Sequence, residues 1–185
     1  MKLINIFIFL FISLTISIKV NSNENLIDNL KDGGKLIFIR HAHAPGNSDP
    51  KNFNIKDCST QRNLDQKGMR QSKQIGLFFK NNSIQIDKVL SSEWCRCKET
   101  AFLAFINFEK KSFLNSFYDQ KFAKNKNKQI YELKRYINSW SSEKNLILVT
   151  HYVVISEILN VFPSSGEIVI SDKNYNVIDT MMINY

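Results

Sequence analysis

The sequence predicts an α/β domain of three layers, in which helices cover both faces of a mostly parallel central sheet. Short apolar runs of strand length alternate with helical patterns along the chain. Helices placed between continuous apolar strands are typical of a parallel sheet that is buried on both faces. The 185 residues include 43% hydrophobic residues, six Gly and three Pro. This composition fits one ordinary folded domain and excludes disordered, collagenous and repeat-array proteins.

The N-terminus has the parts of a secretory signal peptide. Lys2 supplies a positive charge, a mostly apolar run occupies residues 3–18, and the small residue Ser22 follows shortly after. We expect cleavage after Ser22, which makes residues 1–22 a signal peptide and residues 23–185 an exported, periplasmic domain. The apolar run is shorter than the roughly 20 residues that a bilayer core requires. A permanent membrane anchor is therefore the alternative interpretation.

Three buried strands are predicted from short apolar runs rich in branched side chains, at residues 35–39, 88–90 and 146–149. Near the C-terminus, residues 166–171 and 176–185 have the pattern of a closing antiparallel pair. The sheet is therefore expected to combine parallel strands with an antiparallel edge.

Four helices are predicted around these strands. The first begins with Asp65 as its N-cap, and two others cover residues 95–105 and 153–159. The clearest amphipathic pattern has apolar side chains at i, i+3, i+7 and i+10, which are Ile130, Leu133, Ile137 and Trp140.

The formal net charge of +8 comes from 20 Lys and five Arg, which are scattered along the chain. The densest basic stretch, Lys124, Lys126 and Lys128 alternating with Asn, is typical of a solvated loop. No nucleic-acid recognition motif accompanies the charge. We therefore expect no nucleic-acid partner.

The three cysteines are Cys58, Cys95 and Cys97. An oxidising compartment would let two of them pair. Cys95 and Cys97 are too close in sequence for an easy bridge, so Cys58 could pair with either one. The alternative is that all three are buried thiols.

Histidine and arginine residues lie at or just after the ends of the three predicted strands. The first strand ends in Arg40 and His41, Arg96 follows the second strand, and the third strand ends before His151. The carboxyl ends of parallel strands share one edge of the sheet, where ligands bind. Two guanidiniums beside two imidazoles suit an anion, and phosphate matches Arg best. We therefore expect a phosphate site at this edge.

A zinc site formed by His41, His43 and His151 is the competing interpretation. Two nearby arginines disfavour a dication, and no carboxylate is near His41 or His151 in sequence to orient their rings. We therefore expect no metal and no cofactor.

Four segments of the chain, in order, resemble known motifs. Arg40-His41-Ala42 resembles Arg-His-Gly, and residues 64–68 resemble Leu-Thr-x-x-Gly. Residues 91–101 resemble Ser-x-x-x-Arg-x-x-Gln-Thr-Ala, and residues 148–151 resemble a strand that ends in a second His. The chain thereby resembles the histidine phosphatase superfamily, with its phosphoglycerate mutase-like fold. Residues 44–50, 57–64 and 165–169 are similar to its small exported members. The resemblance spans about residues 35–183.

This resemblance implies phosphoryl transfer through a phosphohistidine. His41 would be the nucleophile. Arg40, Arg96 and His151 would hold the phosphoryl oxygens, with Asn47 as an added neutral donor. No metal would be required.

The departures from the family pattern involve the pocket floor and the proton donor. Ala42 and His43 replace Gly and Glu or Gln, and Tyr152-Val153 replaces Gly-Gly. Ser116 stands where many members carry the acidic Glu. Asp119 is the nearest carboxylate, and we assign it the general acid role against the alternative of a surface Asp.

The sequence thus predicts a metal-independent phosphatase that hydrolyses a phosphomonoester or phosphoanhydride of a small phosphorylated molecule or an envelope sugar phosphate. The alternative is a phosphate-ligand-binding pseudoenzyme on the same fold. A membrane contact is expected only if the signal segment stays uncleaved. Arg62 is predicted either to lean toward the site or to cap a loop.

Overall fold

The computed structural model describes residues 22–184, so all but the last residue of the predicted signal peptide, residues 1–22, lies outside the described residues. The helices are α1 (Ser22–Asp32), α2 (Gln66–Asn81), α3 (Cys95–Phe105), α4 (Gln120–Ala123), α5 (Lys126–Ser139) and α6 (Tyr152–Leu159). The strands are β1 (Leu36–Arg40), β2 (Ile86–Ser91), β3 (Glu109–Lys110), β4 (Asn145–Thr150), β5 (Ile168–Ser171) and β6 (Val177–Met181). Single turns of 3₁₀-helix occupy Cys58–Thr60 and Ser112–Leu114. Within residues 22–184, no helix has the length and apolar character that a bilayer crossing needs.

The strands form one sheet in the order β3-β2-β4-β1-β5-β6. β1, β2, β3 and β4 are parallel, whereas β5 pairs antiparallel with both β1 and β6. In the register, Arg40 lies opposite Thr150 and Ser91 lies opposite Val149. The predicted parallel sheet with an antiparallel edge is therefore confirmed, and the last residues of β1, β2 and β4 meet at one edge.

Helices pack on both faces of the sheet, as the sequence predicts. Ile37 and Ile39 point to a core shared with α1, α2 and α3, while Leu36 and Phe38 point to a core shared with α5 and α6. All four side chains are fully buried. Because neighbouring side chains of β1 enter opposite cores, the strand is apolar throughout until Arg40.

Helix α1 is an element that the apolar patterns did not predict. It is mostly polar, but Leu26 and Leu30 are one turn apart and both are buried. The Asn145 side chain donates to the carbonyl of Leu30 across 2.7 Å. Gly33 then turns the chain into β1 with a φ of 73°, where the backbone of Glu143 leaves no room for a Cβ.

Helix α2 begins where predicted. The Asp65 carboxylate accepts the N–H of Gly68 across 2.8 Å, which is the expected N-cap contact. Gly68 lies against the carbonyl of His43, so closely that any side chain would collide with it. The first turn of α2 is thus seated directly on the segment that follows β1.

Candidate active site

The side chains at the carboxyl edge of the sheet enclose a cavity of about 340 Å³. It includes every residue to which the sequence assigned a role in the site: Arg40, His41, Asn47, Arg96, Asp119 and His151. Three segments surround these residues, namely the loop after β1, the start of α3 and the segment before α4.

His41 immediately follows β1, and its backbone is held on both sides. Its N–H donates to the carbonyl of Thr150 across 2.9 Å, and the N–H of Gly166 lies 3.1 Å from the carbonyls of both Arg40 and His41. His41 is 2% exposed. These backbone hydrogen bonds therefore fix the position of the Cα atom of His41.

The His41 ring is held as a neutral imidazole of one tautomer. Its Nδ1 lies 2.9 Å from the carbonyl of Ala42, which can only accept, so Nδ1 carries the proton. Its Nε2 accepts the Nε–H of Arg96 across 3.1 Å. Burial, and next the charge of Arg96, hold the pKa of His41 well below its usual range. The unprotonated nitrogen of His41 is therefore Nε2.

Arg96 joins the two histidines. It lies in the first turn of α3 and is 4% exposed. Besides its bond to His41, its Nη2 lies 3.5 Å from Nδ1 of His151. Its Nη1 donates to both carboxylate oxygens of Asp49, at 2.9 and 3.2 Å. One planar guanidinium thus contacts both imidazoles and a carboxylate.

His151 lies between β4 and α6, and its ring centroid is 5.4 Å from that of His41. Its Nε2 lies 3.0 Å from the hydroxyl of Ser92, which in turn donates to the Asn115 side chain across 3.0 Å. This chain of bonds places the proton of His151 on Nε2 and leaves Nδ1 as an acceptor toward Arg96. Burial, followed by Arg96, also holds the pKa of His151 well below its usual range.

Arg40, the last residue of β1, contributes a second guanidinium. Its Nη1 donates to the carbonyl of Pro163 across 2.8 Å, and the group lies 5.3 Å from the ring centre of Tyr152. Its Nε is buried and has no hydrogen-bond partner in the described part of the chain. An anion in the pocket would supply the acceptor that such a donor needs.

Arg62 has both of the roles that its sequence position left open. Its Nη1 donates to the carbonyls of Ala44 and Gly46, at 2.5 and 2.7 Å, which caps the loop after β1. The same side chain lines the pocket. Burial, and next the charge of Arg96, lower the pKa of Arg62 to about 10.

Asp49 is a pocket residue that the sequence reasoning missed. It lies in an irregular loop, where no strand or helix period marks a buried position. Burial raises the pKa of its carboxyl, but the charge of Arg96, with hydrogen bonds from Arg62 and Trp94, outweighs burial and leaves the pKa below its usual range. The pocket therefore contains, beside its cations, a largely buried carboxylate to which the sequence analysis gave no role.

Asn47 and Asp119 lie at the rim. Both are exposed and line the cavity. The Asp119 carboxylate caps α4 by accepting the N–H of Lys121 across 3.1 Å, and it lies 3.6 Å from the Lys121 ammonium. Asp119 is thus placed beside the pocket, with its hydrogen bonds made to its own helix.

His43 does not join the other two histidines. Its Nδ1 lies 3.0 Å from both oxygens of the Asp65 carboxylate. Within residues 22–184, no group of three His, Cys, Asp or Glu side chains is arranged to hold a metal ion. The three-histidine zinc site considered from the sequence is therefore not assembled.

The cysteines form one disulfide and leave one thiol free. Cys58 and Cys95 are bonded with Cα atoms 5.7 Å apart, which ties the loop after β1 to the residue before Arg96. Cys97 is free and buried, with its sulfur 3.4 Å from Nε2 of His151. Burial raises the pKa of the Cys97 thiol to about 12, so it is protonated at neutral pH.

Comparison with known proteins agrees with this geometry. Residues 36–114 match the sequence profile of the histidine phosphatase superfamily (branch 1). This segment contains Arg40, His41 and Arg96. A sequence search of curated proteins gives no match.

Solved structures share the fold. The protein histidine phosphatase SixA, complexed with tungstate, aligns with a TM-score of 0.54 and 16% identity over 80% of this chain and 96% of that chain. A phosphoglycerate mutase from Thermus thermophilus aligns with a TM-score of 0.53 and 13% identity over 81% of this chain and 99% of that chain. At such identities the likeness establishes the fold, which is phosphoglycerate mutase-like.

Proposed function

We propose that this chain is a metal-independent phosphatase of the histidine phosphatase superfamily and works through a phosphohistidine on His41. One observation carries the proposal. The proton of the His41 imidazole is committed to the carbonyl of Ala42 at 2.9 Å, so the free lone pair belongs to Nε2 beside Arg96. A buried, neutral imidazole surrounded by guanidiniums is a nucleophile prepared for a phosphoryl group.

In the first step, Nε2 of His41 attacks phosphorus while the bond from phosphorus to the leaving oxygen breaks. The Nε–H of Arg96, which Nε2 accepts in the resting site, turns to a phosphoryl oxygen as the lone pair is used. The unpartnered Nε of Arg40 supplies another donor. These cations stabilise the charge on the three phosphoryl oxygens, a task that a metal ion performs in other phosphatases.

In the second step, water attacks phosphorus and the bond to Nε2 breaks. The lone pair returns to His41, inorganic phosphate leaves, and the proton released by water is taken by the group that protonated the leaving oxygen. His151 is held with its Nδ1 3.5 Å from Nη2 of Arg96, so in this tautomer it acts by orienting that guanidinium toward the phosphoryl oxygens.

We assign the proton transfer to Asp119. It is the carboxylate that lines the cavity from the exposed side, where the leaving group and water would enter. The Asp49 carboxylate lines the same cavity but accepts hydrogen bonds on both oxygens, which leaves it unsuited to carry a proton.

A second cavity of about 770 Å³ adjoins the catalytic pocket and shares Trp94, Ser116 and Phe122 with it. A leaving group larger than a phenyl ring has room there. This space supports a substrate that is a phosphorylated small molecule or an envelope sugar phosphate.

We also propose that the protein is exported. The Cys58–Cys95 disulfide supports this, because disulfides persist in oxidising compartments. The predicted signal peptide is the independent reason for the same proposal.

A phosphate-binding pseudoenzyme is the second candidate function. It is favoured by the exposure of Asp119 and by its local bond to Lys121, since an acid that is not held against the leaving group contributes little. This candidate predicts phosphate binding without turnover.

The deciding experiment measures hydrolysis of an aryl phosphate and of acetyl phosphate by the purified protein, with and without a chelator. We expect turnover that the chelator does not change and that is lost in His41→Ala. The preference between the two substrates then reports whether an acid operates. Phosphate binding by calorimetry with no turnover of either substrate would support the pseudoenzyme instead.

A further inference from the structure

We infer that Asp49 is a positioning residue for phosphoryl transfer, because its carboxylate holds the guanidinium of Arg96 in place between His41 and His151. This inference rests on the proposed phosphatase function. It assigns a role to a residue outside the histidines and arginines that define the site.

The Asp49 carboxylate is a fully used acceptor. Its oxygens accept from Nη1 of Arg96 at 2.9 and 3.2 Å, from the backbone N–H of Arg62 at 2.9 Å and from the indole Nε1 of Trp94 at 3.1 Å. The side chain is 15% exposed, and that of Arg96 is 5% exposed. A carboxylate bonded from three directions cannot rotate, so it fixes the plane of the guanidinium.

The loop that carries Asp49 is held by two anchors besides the ion pair, one within the loop and one to the start of α3. Arg62 closes the loop by donating to the carbonyls of Ala44 and Gly46. The Cys58–Cys95 disulfide joins the same loop to the residue before Arg96. The separation between Asp49 and Arg96 is therefore set by covalent and hydrogen-bonded anchors independent of the pair.

The reaction itself shows why this anchor is needed. When Nε2 of His41 bonds to phosphorus, it can no longer accept the Nε–H of Arg96. Two other contacts of the guanidinium, to Nδ1 of His151 at 3.5 Å and to the carbonyl of Arg62 at 3.4 Å, are long. The two bonds to Asp49 are the shortest ones that persist through the phosphohistidine, so they keep Arg96 aligned while its other donors move to phosphoryl oxygens.

The charge of Asp49 has a separate effect on phosphate affinity. Three guanidiniums, those of Arg40, Arg62 and Arg96, line the cavity, and Asp49 is the carboxylate bonded directly to one of them. Replacing it by a neutral group makes the pocket more cationic, which favours the binding of phosphate. Loss of positioning and gain of positive charge thus act oppositely on turnover and on phosphate affinity.

The test compares Asp49→Asn with the wild-type protein and with Asp57→Asn. Asp57 is a matched control because it lies in the same loop, is exposed, and has a carboxylate that accepts hydrogen bonds from its neighbour Ser59. The measurements are kcat and KM with p-nitrophenyl phosphate, the inhibition constant of inorganic phosphate, and the melting temperature.

We expect Asp49→Asn to lower kcat by about 10- to 100-fold, the effect of removing one charged hydrogen-bonding partner, while inorganic phosphate inhibits at least as strongly as in the wild type. Asp49→Glu, which restores the charge at a different reach, should recover part of kcat. Asp57→Asn should leave both quantities unchanged.

Two results would overturn the inference. One is a kcat of Asp49→Asn within about twofold of the wild type, well under the effect of one charged hydrogen bond. The other is a parallel loss of kcat, phosphate affinity and melting temperature, which would mark Asp49 as structural. A wild-type protein without turnover refutes the phosphatase instead. In that case calorimetry still measures the effect of the Asp49 charge, as the difference in phosphate affinity between Asp49→Asn and the wild type.

Discussion

The Nε–H of Arg96 points at Nε2 of His41 across 3.1 Å, although one residue belongs to a helix and the other follows a strand 55 positions earlier. A cation that donates to an imidazole nitrogen disfavours a proton at that nitrogen. The contact therefore keeps Nε2 of His41 unprotonated and aligns it with the group that stabilises the phosphoryl oxygens.

Replacing His41 tests the nucleophile directly. His41→Gln should abolish turnover, because an amide cannot form the phosphorylated intermediate, while the folded domain remains. The measurement is hydrolysis of p-nitrophenyl phosphate together with detection of an acid-labile, base-stable phosphoryl group on the wild-type protein.

His43→Gln is the control, since His43 is two residues away and pairs with Asp65 outside the pocket. It should retain activity and label normally. A His41→Gln protein with wild-type turnover would exclude the phosphohistidine.

The pH dependence of turnover should show an acid limb below the ordinary histidine pKa of 6.5. His41 must be neutral to attack, and burial with Arg96 places its pKa well below that value. The reactive form therefore persists as the pH falls past 6.5 and is lost only at the lower, folded pKa. The measurement is the profile of kcat/KM for two substrates whose own phosphate pKa values differ.

If the acid limb reports the titration of an enzyme group, it occurs at the same pH for both substrates. If that limb lay at or above 6.5, the neutral, desolvated imidazole would be contradicted.

Stability should also depend on these two histidines. His41 and His151 have depressed pKa values in the folded protein. As the pH falls below the ordinary histidine pKa, these two side chains therefore take up protons in the unfolded chain before they do so in the folded protein. Folding stability should therefore be complete above 6.5 and should decrease below it, by about 1.4 kcal/mol per pH unit for each histidine until the folded pKa is reached. Urea denaturation across this range measures the slope.

The variant His151→Gln should reduce that slope, because it removes one of the two groups. An equal slope in wild type and variant would show that other groups cause the pH dependence.

The Cys58–Cys95 disulfide should matter for stability and for turnover. The bond closes a loop across 37 positions, and in the chain-entropy account such a loop is worth about 3–4 kcal/mol. Cys58→Ala should lose this stability and should also lower kcat, since Arg96 follows Cys95 directly. Denaturant unfolding and kinetics, each with and without reductant, measure both effects.

Cys97→Ala is the matched control, because Cys97 is the free thiol. It should keep its sensitivity to reductant, whereas Cys58→Ala should lose it. Sensitivity that persists in Cys58→Ala would point to a different bridge.

The acid role of Asp119 should appear as a dependence on the leaving group. Asp119→Asn keeps a good helix cap but removes the proton. It should slow an alkyl phosphate by about 100-fold or more, the usual share of general acid catalysis, while acetyl phosphate, whose leaving group needs little protonation, changes far less. Turnover of both substrates gives the comparison.

Tyr118→Phe, at the neighbouring exposed pocket position, should affect the two substrates equally. If Asp119→Asn did so as well, Asp119 would be only a cap.

The sequence predicted the core of this site because strand ends are easy to recognise. Arg40, His41 and His151 each follow a short apolar run, and the carboxyl ends of parallel strands meet whatever the intervening loops do. The parallel register of β1 with β4, in which Arg40 lies opposite Thr150, confirms that reasoning.

The parts that could not be predicted have no period to reveal them. Asp49 lies in an irregular loop, and its burial depends on contacts to Arg62 and Trp94 that only folding creates. Helix α1 is mostly polar, so Leu26 and Leu30 alone are too few to mark its buried face. The pairing of Cys58 with Cys95 rather than Cys97 likewise depends on which of the two sulfurs at the start of α3 faces the loop that carries Cys58.

The backbone around His41 has a consequence for dynamics. Its N–H is bonded to Thr150, and the N–H of Gly166 is shared between the carbonyls of Arg40 and His41, so three distant segments close on the nucleophile. These amides can exchange with deuterium only when the sheet itself opens, whereas the rim loop that carries Asn47 can open by itself. We therefore expect the backbone that carries the reacting nitrogen to exchange more slowly than the rim loop, so that adaptation to different leaving groups falls to the rim.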